Sequence, residues 1–139
     1  MKNRVACAAI SLVLAGCGHM NVPVTPERYQ GRTGVVVTAS HRLDQTFLYF
    51  VSGVKVSFDN QSPATVPWGE ATFFDKTEGR HAYRIWYDYL GGGTGSVVGC
   101  VRIPKDGIVL IQYKTPYTAL QGGEVEITSA DGHSLDVGC

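Results

Sequence analysis

The chain has no apolar run long enough to cross a bilayer, no excess of charge of either sign, and no spacing of His or Cys that gathers ligands around a metal. Its longest apolar stretch, Val5 to Ala15 broken only by Ser11, falls short of the about 20 residues that a hydrocarbon core requires. Twelve basic and twelve acidic residues balance over 139 positions, and no basic stripe exists to neutralise a phosphate backbone, which argues against nucleic acid as a partner. His19, His41, His81 and His133 stand singly, without an HxH or i, i+4 pair, and the cysteines are not in CxxC order, so no metal site is expected. A GxSxG elbow is missing. Gly91-Gly92-Gly93-Thr94-Gly95-Ser96 lacks the lysine and the following helix of a phosphate loop, and reads as a hairpin connection. These absences point away from an enzyme and from any cofactor.

Glycine and aromatics are what the chain does have: 17 glycines, seven tyrosines and five phenylalanines, a composition suited to short strands joined by tight turns. No amphipathic helical pattern of useful length follows residue 17. From Gly34 onward the apolar period is two, clearest where Val54, Val56 and Phe58 point one way and Lys55, Ser57 and Asp59 the other. Further strands are expected at Thr33 to Ala39, Glu70 to Asp75, His81 to Tyr89, Ser96 to Ile103, Ile108 to Lys114 and Glu124 to Ser129, and the continuously apolar Thr46 to Val51 run reads as a buried strand or a short helical turn. Asp59-Asn60-Gln61 makes a turn, and Lys105-Asp106-Gly107 between two apolar runs reads as a hairpin. The expected fold is all-β, an antiparallel β-sandwich of about seven strands in one domain over residues 33–139.

Ahead of that domain, Lys2 and Arg4 precede the short apolar run, and small residues lead to a cysteine: a cleaved export signal over residues 1–16, helical in character, rather than a membrane span. Leu14-Ala15-Gly16-Cys17 resembles the lipobox of bacterial lipoproteins, in which small side chains admit the signal peptidase and only a thiol can form the thioether to diacylglycerol. The resemblance implies lipidation of Cys17, including palmitate-type acylation, and an anchor of two or three chains, enough for effectively permanent attachment. In such proteins an Asp after the cysteine favours retention in the inner membrane. Gly18 stands here, so the implied place is the bacterial cell envelope, at the outer membrane facing the periplasm. Residues 17–32, with Pro23 and Pro26 and no apolar periodicity, read as a lipidated, extended tether.

A second likeness lies inside the domain. Val54-Lys55-Val56-Ser57-Phe58-Asp59-Asn60, then Gly69-Glu70, then Glu78-Gly79-Arg80-His81-Ala82-Tyr83-Arg84-Ile85 resembles the small immunoglobulin-like sandwich modules typified by PEGA domains. The segment Ile108 to Pro116 is similar to their closing strand. The usual Thr-Pro step before the middle strand is here Val66-Pro67-Trp68. The likeness implies a binding or scaffolding role.

Once Cys7 leaves with the signal and Cys17 is consumed by lipid, Cys100 and Cys139 remain. In an exported chain they read most simply as a disulfide, the alternative being two free thiols. Closing about 40 residues would stabilise the fold by about 4 kcal/mol at most. His81, on one strand face with Tyr83, Ile85 and Tyr87, reads as a hydrogen-bonded core histidine. Glu124 and Glu126 share a solvent-facing side. The opposite face of the His81 strand offers Arg84, Trp86 and Asp88. With Trp68, Phe74 and Tyr89 it can form a surface for a protein or a sugar, or Trp86 can simply pack beneath a loop or beside Cys100, the plainer of the two readings.

Taken together, these residues describe a membrane-anchored, non-enzymatic interaction or scaffolding module. Its expected partners are the membrane, through lipid, and an envelope protein or glycan. The rivals are an accessory lipoprotein of a secretion system and a small envelope hydrolase or hydrolase inhibitor.

Overall fold

Alternating apolar residues require two sheets to close over one another, and the computed structural model arranges them so. The structure describes residues 18–42, 52–89, 92–93, 95–116 and 122–129. The export signal, Cys17, the Thr46 to Val51 run, Cys139 and the side chain of Tyr89 lie outside the described residues.

Among the described residues, ten strands follow a short 3₁₀ helix at Pro26–Tyr29: β1 Gly34–Ser40, β2 Gly53–Phe58, β3 Ala64–Pro67, β4 Ala71–Asp75, β5 Gly79–Trp86, β6 Asp88–Tyr89, β7 Gly92–Gly93, β8 Val97–Ile103, β9 Ile108–Lys114 and β10 Glu124–Ser129. One sheet has the order β10-β9-β1-β4 and the other β3-β2-β5-β8, while β6 and β7 form a separate small ribbon. The chain is an all-β sandwich of about eight principal strands. Its core is formed by Val35, Val37, Val109, Ile111 and Tyr113 of the first sheet against Val54, Val56, Phe58, Ile85 and Val101 of the second.

Local chemistry accounts for the elements. Asp59 and Asn60 both take positive φ (52° and 58°), and Gln61 N–H donates to the Phe58 carbonyl at 2.9 Å. Two short polar residues that tolerate this region reverse the chain in the sense that strand twist favours. In β5 the inward Tyr83 lies over Gly99, its register partner on β8, where an added Cβ would fall 2.5 Å from the tyrosine hydroxyl. Glycine here gives an aromatic ring its seat.

Three details differ from expectation. The β1 and β9 pair is parallel, Gly34 opposite Ile108 through Ser40 opposite Lys114, which two strands separated by an excursion through the other sheet can adopt. Lys105-Asp106-Gly107 is not a hairpin, because β8 and β9 belong to different sheets. Asp106, not the glycine, has positive φ (53°), and the turn carries the chain across the sandwich. Finally, β3 was not anticipated. It crosses at its end from one sheet to the other, where Trp68 bridges Ala39 and Gly69 N–H donates to the Ala39 carbonyl at 2.9 Å.

Residues 18–32 lack regular strand structure, yet they are not free of the domain. Val22 is only 8% exposed, Tyr29 stacks on Phe73 with ring centroids 5.6 Å apart, and the Arg32 guanidinium lies 3.8 Å from the centre of the same Phe73 ring. At the far end His19 Nε2 contacts the Thr115 carbonyl at 3.0 Å, and Met20 N–H donates to the His41 carbonyl at 3.1 Å. The segment lies along the outer side of the β10-β9-β1-β4 sheet. This explains why β1 is buried at all seven positions, a burial that its run Val35-Val36-Val37 suits.

Candidate functional site

The outer face of the second sheet is where the sequence left Trp86, and the register shows what stands beside it. Lys55 pairs with Trp86 and Ser57 with Arg84, Arg84 with Val98, and Ala82 with Cys100. Cross-strand partners share a face, so Trp86, Arg84 and Val98 are neighbours on the outside while Tyr83, Ile85 and Tyr87 are buried beneath. The Arg84 guanidinium sits 4.8 Å from the centre of the indole ring, a cation–π placement. Val98 is 68% exposed and is the one exposed large hydrophobic side chain among the described residues.

Beside this row the β2–β3 turn rises to make a wall. Asn60, Gln61 and Pro63 face Arg84, Trp86 and Val98 across an open trough of about 820 Å³. Ser57 Oγ donates to the Gln61 carbonyl at 2.6 Å and Lys76 Nζ donates to Gln61 Oε1 at 2.8 Å, so the wall is braced. The base of the turn is held from the other side. His81 Nδ1 lies 2.6 Å from Asp59 Oδ2, His81 Nε2 lies 2.9 Å from the Thr77 carbonyl, and Ala82 N–H donates to Asp59 Oδ1 at 3.0 Å. The hydrogen bond from His81, then that from Ala82, holds the Asp59 carboxyl below its ordinary value against an opposing effect of partial burial.

Charge is divided between the sheets. The strands of the second sheet carry Lys55, Arg80, Arg84 and Arg102 and no Asp or Glu. Those of the first carry Asp75, Glu124 and Glu126 against Lys114.

Comparison with family models, characterised proteins and solved structures finds no match. The site therefore rests on its own geometry.

That geometry splits the aromatic group expected from the sequence. Trp86 and Arg84 are together on the open face. Trp68 is not with them: it packs against the core, edge-on to His41 at 5.3 Å and to Tyr87 at 5.8 Å. Phe74 likewise turns inward onto Phe58 at 5.2 Å. Trp86 is separated from Cys100 by the Arg84 and Val98 row, so it does not pack beside that cysteine. Cys100 itself is 8% exposed and disulfide-bonded, and the cysteine that closes the bond lies outside the described residues. His81 is hydrogen-bonded as expected, though at the margin of the core, its side chain 13% exposed. Sequence reading missed Asn60, Gln61, Pro63 and Val98. The signal available for Val98 was its place across from Arg84, which needed the β5–β8 register.

A second, smaller cavity of about 360 Å³ lies under the amino-terminal segment, against Thr38, Ser40 and Gln112, and the buried Ser40 hydroxyl has no hydrogen-bond partner among the described residues. The Tyr113 hydroxyl is also buried without one, and burial, with Tyr87 nearby, pushes its pKa upward. Among the described residues, no three His, Cys, Asp or Glu side chains converge as metal ligands.

Proposed function

We propose that this chain is a lipid-anchored, non-enzymatic interaction module of the bacterial cell envelope, attached through Cys17 and presenting the open face of its second sheet to a partner. The observation that carries the reading is the contrast between faces: residues 18–32 cover one sheet, and among the described residues the Arg84, Trp86 and Val98 trough on the other stays open. Exposed aromatic and arginine side chains beside a concavity are the usual anchors of recognition. The lipobox residues Leu14 to Cys17 and the absence of Asp at Gly18 support the outer membrane, facing the periplasm, as its place. The strand and turn sequence from Val54 to Ile85 supports a PEGA-like ancestry.

On this reading the anchor has little slack, because the residues after Cys17 are folded onto the domain. The body is held close against the bilayer, and the trough opens to the aqueous side. Cys139 is assigned as the partner of Cys100, a bond that would tie residues beyond β10 to the same outer face.

The test is made on protein taken from its own host. Mass spectrometry of the amino-terminal peptide should find diacylglyceryl on Cys17, and an uncut or unmodified terminus would remove the anchor. Capture from membranes with the anchor retained should recover an envelope component, and recovery should fall in the double variant Arg84→Gln, Trp86→Ala. Recovery independent of those residues would show that the face is not the working surface.

A further inference from the structure

We infer that the trough on the second sheet binds an acidic saccharide, with a sugar ring laid on the Trp86 indole and its carboxylate held by the Arg84 guanidinium. This rests on the reading of that face as the working surface and names the chemistry it recognises. Four observations select this occupant.

Charge comes first. Among the described residues, Arg84 is the one charged side chain that lines the trough, the strands of the sheet add Lys55, Arg80 and Arg102, and the exposed Asp88 follows Trp86 at the far end. The trough therefore offers an anion one cationic contact, at Arg84. A planar guanidinium recognises a carboxylate with two parallel hydrogen bonds, and the Arg84 guanidinium lies over the indole ring, 4.8 Å from its centre, so that the two side chains form one contact surface.

Backbone availability comes second. Beneath the trough β2 and β5 are each paired on both sides, and β8 is the edge strand of the sheet. An extended peptide needs a free strand edge to pair with, and that edge belongs to β8, not to the β5 strand that carries Arg84 and Trp86. Recognition at Arg84 and Trp86 is by side chains.

The lining is the third observation. Asn60 and Gln61 bring amide groups that both donate and accept, while Pro63, Trp86 and Val98 bring apolar surface. A pyranose has the same mixture, with hydroxyls around its rim and C–H groups on its face. Shape is the fourth. A bilayer is flat and is entered by protruding apolar groups, whereas Val98 is the single exposed large hydrophobic side chain among the described residues and the site is concave. An open concavity of this size admits sugar rings.

The experiment is a titration of the mature, disulfide-intact domain, followed by amide and indole NMR shifts. The probe is the carboxylate oligomer hexagalacturonate. The controls are its methyl ester, which keeps the rings and removes the charge, and hexaglutamate, which keeps the charge and removes the rings. Hexagalacturonate should shift the Trp86 indole and the Arg84 and Val98 amides in a saturable, salt-dependent way. Both controls should bind at least about tenfold more weakly, the scale of losing one charge-assisted contact. Arg84→Gln and Trp86→Phe, which leave the core untouched, should each weaken binding, the first most for the acid and least for the ester.

Equal binding of hexaglutamate would reduce the face to a generic basic surface and overturn the proposal. Equal binding of the ester, or shifts that avoid Trp86, would overturn it as well. If hexagalacturonate fails while membrane capture still depends on Arg84 and Trp86, the ligand class falls and the working face stands. If capture is also indifferent to both residues, the face itself falls.

Discussion

The two sheets of this sandwich have four strands each among the described residues and treat their outer faces in opposite ways. On the first, Val36 is fully buried although it points away from the core, because Val22, Tyr29 and Arg32 belong to a segment lying along that side. On the second, Val98 is 68% exposed at a comparable outward position. An outward valine is thus structural on one sheet and accessible on the other. Strand alternation cannot distinguish the two, since both residues obey it.

The largest expected effect comes from breaking this contrast directly. Val36→Asp should cost more than about 4 kcal/mol, the scale of an unpaired buried charge, or prevent folding. Val98→Asp should stay within about 0.5 kcal/mol. Urea denaturation of the two variants compares them, and equal costs would mean that the first face is not covered. Next is Cys100→Ala. Loss of its disulfide should lower stability by up to about 4 kcal/mol, and the intact protein should show no alkylatable thiol at this position when denatured without reductant.

The two tryptophans extend the comparison at intermediate size. Trp68→Ala should cost about 3 kcal/mol, since the ring packs on Tyr87 and His41 against the core. Trp86→Ala should cost about 1 kcal/mol, a half-buried surface ring beside Arg84. Thermal unfolding of both variants would show whether the aromatic group divides as described.

The smallest effect is electrostatic. The Asp59 carboxyl is lowered in the folded state, so its contribution is present above its ordinary value of 3.8 and is lost as pH falls through the folded value. Asp59→Asn should therefore flatten the acid side of the stability profile below about pH 4 and leave its neutral region with only the loss of the His81 and Ala82 hydrogen bonds. An unchanged acid limb would show that the turn is not braced in this way.

Much of the sandwich was legible because strands announce themselves locally. Val54, Val56 and Phe58 alternate with polar neighbours, and β9 and β10 fall at the expected residues. The inward set Tyr83, Ile85 and Tyr87 was readable for the same reason, and it placed Trp86 outside. Trp68 escaped that logic, for it sits where the chain leaves one sheet for the other and alternation no longer assigns a side. Lys105-Asp106-Gly107 has the composition of a hairpin whether it joins neighbours in one sheet or spans two, since turn chemistry records the reversal and not the destination. Half the candidate site was readable as Arg84 and Trp86. The wall of Asn60, Gln61 and Pro63 was not, because a turn reaches its neighbours only after the strands have paired.

What the sequence determined by itself is the all-β class and, in clearly alternating strands such as β2 and β5, the side to which each residue points, because both follow from a period of two along a pleated backbone. Tertiary structure alone decided which outward face would be covered. That choice depends on residues 18–32 meeting Phe73, and on β8 meeting β5, across separations that no local pattern encodes.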